Sequence, residues 1–117
     1  MEKVITIGDK EIKMKATAGT PRLYRMMFRR DLMSDMARLS KSMQKQEFDV
    51  PDLETFENVA YLMAKQADAQ SPGIDEWFDE FEIFDIYQVL PQILSLWSME
   101  TETQIESKKN LIRAAAK

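Results

Sequence analysis

Asp31 and Asp35 stand four residues apart in this chain, and Asp75 and Asp79, then Glu76 and Glu80, repeat that spacing. On an α-helix that spacing puts both acids of a pair on one face, where they can hold Mg²⁺ while phosphate oxygens complete its shell. A Mg²⁺-dependent all-α nucleotide hydrolase is the enzyme such pairs would suit. That chemistry also needs Lys or Arg to hold the phosphates, and residues 46–106 carry 15 acids but a single base, Lys65. The chain has no Cys and no His, which removes disulfides, thiolate ligands, Cys nucleophiles and the usual general base. Neither a phosphate-binding glycine loop nor a serine nucleophile motif occurs. The acids read as solvated helix faces, and neither catalysis, nor a metal, nor a cofactor is expected.

Charge is segregated along the chain. The net value is −4, but residues 1–45 hold 11 basic and 5 acidic side chains, and the last eleven residues are basic again. Such asymmetry suits an interaction surface. The group Arg22, Arg25, Arg29 and Arg30 could meet phosphates, yet it lacks interleaved aromatics and any DNA-binding module. A protein partner fits it better than nucleic acid. The acidic middle would also suit a regulator that mimics DNA. Nine Met in 117 residues is a high usage, and Met serves both irregular cores and adaptable surfaces.

The elements that would position these residues are legible in the spacing. Val4, Ile5 and Ile7, then Gly8-Asp9-Lys10, then alternating Glu11 to Lys15 predict a β-hairpin over residues 3–16. Thr20-Pro21 reads as a helix cap followed by Pro in the first turn. Tyr24, Phe28, Leu32, Met36, Leu39 and Met43 form one stripe, predicting a single helix over 21–43. Leu53, Phe56, Ala60, Met63 and Ala67 predict a second helix over 53–68, with Asp52 as its cap.

"DEWFDEFEIFD", Asp75 to Asp85, holds six acids and four aromatics. As a helix over 74–82 it would turn Trp77, Phe78 and Phe81 inward and the acids outward. A fourth helix over 86–99 is predicted from Asp85 as cap, Gln88 as the capping-box partner, and a Phe84–Val89 staple. Pro91 should kink it. Residues 100–117 lose this periodicity and read as a mobile tail. The fold class expected is α+β, mainly α, in one domain over 1–99, with a core around Phe28, Leu32, Phe56, Met63, Trp77, Phe81, Leu90, Ile93 and Trp97. The charged, alternating N-terminus does not read as a signal peptide, and no apolar run suits a membrane span.

The order of these motifs resembles that of the small tail assembly chaperones of long-tailed bacteriophages and prophages of Gram-positive bacteria. The likeness spans about residues 3–98. It rests on the hairpin, "LYRMMFRRDL" (Leu23 to Leu32), "NVAYLMAKQAD" (Asn58 to Asp68), "EWFDEFEIFDI" (Glu76 to Ile86) and a helix ending in Leu96-Trp97. The chain departs from the family at Arg29, where members often carry Gly.

The resemblance implies a non-enzymatic assembly factor. It would coat the tape-measure protein, keep it soluble, and help recruit tail-tube subunits in the host cytoplasm without entering the virion. Met26 and Met33 lie off the core stripe beside Arg22 and Arg29. With Ile12 and Met14 of the hairpin, these are the expected partner-binding residues. The opposed charges of the two halves predict self-association into a homo-oligomer through head-to-tail contacts.

Overall fold

The structure, a computed structural model, describes residues 1–97 of the chain. The expected tail, 100–117, and the last residues of the expected 86–99 helix lie outside the described residues. The fold is α+β and mainly α. Strands β1 (Glu2–Ile7) and β2 (Lys10–Lys15) form an antiparallel hairpin; helices α1 (Thr20–Phe28), α2 (Leu32–Lys45), α3 (Val50–Ala67), α4 (Ile74–Phe78) and α5 (Ile83–Tyr87) follow. A further helical stretch, α6, covers residues 90–97.

The hairpin obeys the two-residue alternation of its sequence. Ile5, Ile7 and Met14 are buried on one face, with Ile12, the cross-strand partner of Ile5, half-buried among them. Glu2, Val4, Thr6, Glu11 and Lys13 face water. Gly8 turns the chain at φ +64°, a conformation that costs a residue with a Cβ. A Cβ there would also stand 2.6 Å from the Asp85 carboxylate, so the turn fits closely against α5.

Helix α3 is the hub. Six consecutive residues, Val59 to Ala64, are buried, the pattern of a helix covered on every side. β2, α1 and α2 all pack on it, and the Trp97 indole N–H donates to the Met63 sulfur at 3.3 Å. Trp77 is buried, edge-on to Tyr61, Phe78 and Phe81. Of the expected core, Leu32, Phe56, Met63, Trp77, Leu90 and Ile93 are buried, while Phe28, Phe81 and Trp97 are half-buried at its rim.

Several boundaries differ from the sequence expectation. The single helix over 21–43 is two helices, because the chain turns at Arg29, φ +55°, and Asp31 restarts it by accepting the Ser34 N–H at 2.8 Å. Helix α1 begins at Thr20 after an N-cap position held by Gly19, with no side-chain cap. The cap of α3 is Asp49: it accepts from the Asp52 N–H, and Asp52 accepts from the Asp49 N–H in return, a reciprocal capping box. That pushes the start of α3 back to Val50, with Pro51 in its first turn.

The expected 74–82 helix stops at Phe78, and residues 79–81 turn. Asp85 caps nothing. It lies in the first turn of α5, whose cap position is Glu82 with no side-chain bond, and Phe84 is exposed instead of stapling. Pro91 sits in the first turn of α6, where its missing N–H costs no hydrogen bond, so it kinks nothing.

Candidate interaction surface

The α1–α2 elbow is built around a buried carboxylate. Asp35 lies one turn inside α2 with its side chain 5% exposed. Arg30 reaches back to it as a fork: Nε donates to Oδ2 at 2.7 Å and one Nη to Oδ1 at 2.8 Å. The Tyr24 hydroxyl donates to Oδ2 at 2.8 Å from the buried face of α1, and Arg38 adds a longer contact at 3.4 Å. One carboxylate thus ties the end of α1, the turn and the start of α2 together.

Burial pushes the Asp35 carboxyl up, but hydrogen bonds from Arg30 and Tyr24, with the charges of Arg30 and Arg38, outweigh it and hold the group below the usual aspartate range. Burial and that same carboxylate push the Tyr24 phenol up to about 12. Arg38 also lies 3.8 Å from the buried Asp52. Burial of Asp52 is again outweighed, here by hydrogen bonding with Ser42 of α2 and with Asp49 and by the Arg38 charge, so its carboxyl is lowered. At the other end of α1, Thr17 and Thr20 share hydrogen bonds with the Gln66 amide of α3. The elbow is clamped to the hub at both ends.

This clamp has a use for the outward side. With Tyr24 turned in and Phe28 half-buried, α1 presents Arg22, Arg25, Met26, Met27 and Arg29 to water, and Met33 emerges from the first turn of α2. Met26 is 65% and Met33 49% exposed. The structure therefore gathers Arg22, Met26, Arg29 and Met33 on one rigid elbow. It separates from them the two hairpin residues. Met14 is wholly buried against the core and offers a partner nothing, a correction to the expectation, and Ile12 is half-buried. Alternation had already placed Met14 on the face of Ile12, and only a hydrophobic cover decides which face that is.

A second exposed apolar patch was not foreseen. On α5, Ile83 and Phe84 are exposed, Phe84 at 80%, while Ile86 points into the core. Tyr87 rests against Phe56 and donates from its hydroxyl to Glu57 at 3.0 Å. Asp75, Glu76, Asp79, Glu80 and Glu82 of the same α4–α5 segment are exposed as well. Lys10 bridges the hairpin to this region, donating to the Glu80 carbonyl at 3.0 Å and lying 5.5 Å from the Phe81 ring centre.

Asp31 is used as a helix cap and Asp35 in the arginine clamp, so the two do not face a common solvent space as free ligands. Among the described residues, no three carboxylates are grouped to hold a metal ion. No helix among them is long and apolar enough to cross a membrane. Compared with protein-family models, curated proteins and solved structures, the chain has no match.

Proposed function

We propose that the protein is a non-enzymatic assembly factor that holds an apolar helical client through the Met–Arg elbow. The observation that carries this reading is the pairing of opposites at one place. A clamp of Tyr24, Arg30 and Asp35 makes the backbone rigid, and on it stand Met side chains in water. Flexible thioethers on a fixed platform adapt to several apolar partners without reorganising the fold. Arg22, Arg25 and Arg29 around them supply solubility and attraction for acidic client segments.

The resemblance of the motif order to phage tail assembly chaperones supplies the identity of the client. It would be the tape-measure protein, kept soluble in the host cytoplasm while the chaperone helps recruit tail-tube subunits to it, and the chaperone would stay out of the virion.

Co-expression of the full chain with the tape-measure protein of the same phage tests the reading. The client should be soluble with the wild type and aggregate with Met26→Asp/Met33→Asp. Both positions are exposed, so circular dichroism and thermal midpoint should show the variant folded. A folded double variant that still keeps the client soluble would remove the elbow from the function.

A further inference from the structure

The free edge of β1 carries an inference independent of the client. Met1 and Ala16 exchange both of their backbone hydrogen bonds, at 2.9 Å each. From that pair the antiparallel register alternates, so Lys3, Ile5 and Ile7 turn their N–H and C=O groups toward β2. Glu2, Val4 and Thr6 turn theirs outward. Among the described residues no hydrogen bond meets them.

The two edges of the hairpin are not alike. The outward residues of β2 are Glu11, Lys13 and Lys15, the charged guard that natural sheets place on edges. The centre of the β1 edge is Val4, 57% exposed. Below it runs a groove of about 410 Å³ whose other wall is α6, with Pro91, Gln92, Ser95 and Leu96.

We propose that this edge pairs with the same edge of a second copy, joining two hairpins into one four-stranded sheet about a two-fold axis at Val4. Three outward residues centred on Val4 are self-complementary in the antiparallel sense. Val4 bonds to the partner's Val4, and Glu2 bonds to the partner's Thr6. Charge favours this register. It sets Glu2 opposite the partner's Thr6 and Lys3 opposite the partner's Ile5, whereas a parallel, in-register pairing would stack Glu2 on Glu2 and Lys3 on Lys3. The two-fold axis also leaves both α6 helices on the same side of the joined sheet, where they cover each other's Pro91 and Leu96.

A short strand edge with one helix face lies at the lower limit of specific interfaces, about 1,200 Å² in total. Association in the micromolar range follows. Because main-chain bonds and apolar cover carry it, high salt should leave it in place, unlike the head-to-tail contact that charge segregation alone predicts.

Sedimentation velocity of the full chain, from low-micromolar to submillimolar concentration, tests the proposal. Wild type should pass from monomer to dimer in low and high salt alike. Val4→Pro removes one outward N–H and no β1–β2 bond, so it should fold and stay monomeric; Val4→Lys, which keeps the strand, decides the matter if the Pro variant unfolds. Since the chain has no Cys, Val4→Cys should form a disulfide dimer on mild oxidation, and Lys13→Cys, on the guarded edge, should not. Three results would overturn the proposal. One is a wild type that is monomeric throughout, which leaves the groove to an extended segment of another protein. The others are a dimer indifferent to both Val4 variants and a Val4→Cys dimer that does not cross-link.

Discussion

The α1–α2 elbow and the α4–α5 segment both bring apolar side chains into water, and the means by which each is held differ. The elbow shows Met26, Met27 and Met33 among arginines, and beneath them its turn is locked by a buried carboxylate with Arg30 and Tyr24. The α4–α5 segment shows Ile83 and Phe84 beside exposed acids, and it is held by rings packed edge-on around Trp77. Polar locks are directional and depend on protonation; apolar locks depend on volume alone. A surface meant to hold one shape is served by the first. The second tolerates small shifts of two five-residue helices.

The largest effect that would separate the two is Trp77→Ala. Removing the centre of the ring cluster should cost about 3–5 kcal/mol, read from urea unfolding. Asp35→Ala should cost less, about 2–4 kcal/mol, since Tyr24 loses its buried partner while Arg30 and Arg38, each nearly half-exposed, return to water. If Asp35→Ala proves the more damaging, the elbow is the stability centre and the contrast is reversed.

Acid sharpens the comparison. The folded Asp35 carboxyl is held below its unfolded value, about 3.9. Its contribution is therefore complete above that value and is lost as pH falls through the folded one. The penalty of Asp35→Asn should shrink between pH 7 and pH 2.5, whereas the Trp77→Ala penalty, which involves no proton, should not change with it. Equal pH dependence of the two penalties would break the assignment of separate locks.

A smaller effect, of opposite sign, belongs to Arg29. A side chain at φ +55° is strained and Gly is not, so Arg29→Gly should raise stability by about 0.5–1 kcal/mol. The smallest effect is Phe84→Ser. This side chain touches little, and the thermal midpoint should move by less than the equivalent of about 0.5 kcal/mol, leaving any loss of binding attributable to the surface.

Much of this architecture could be read from the residues. The stripe from Tyr24 to Met43 does line the core, and it does so across two helices, because the turn at Arg29 returns the chain to the same side. The break stayed hidden because neither Gly nor Pro marks it. Its one local sign was Asp31 with Ser34 three residues on, a cap signature masked by the continuing stripe.

At the start of α3 two aspartates flank Val50-Pro51-type cap signals, and both take part in the capping box, which spacing alone could not apportion. The Asp35 clamp was not legible. Its carboxylate is buried by tertiary contacts with Tyr24 and Arg30, and an Asp on a helix otherwise faces water. The exposed Phe84 followed from the same limit: an apolar residue carries no mark of the side on which cover will arrive.

The central position of α3 has a consequence for synthesis. The ribosome delivers the hairpin, α1 and α2 before the residues on which all three pack. A lone hairpin and short helices are marginal in water. The basic first third must therefore wait, fluctuating and uncovered, until Ala67 has emerged. From that moment it condenses together with α3, so its amide protons should open only with those of α3, as one cooperative unit.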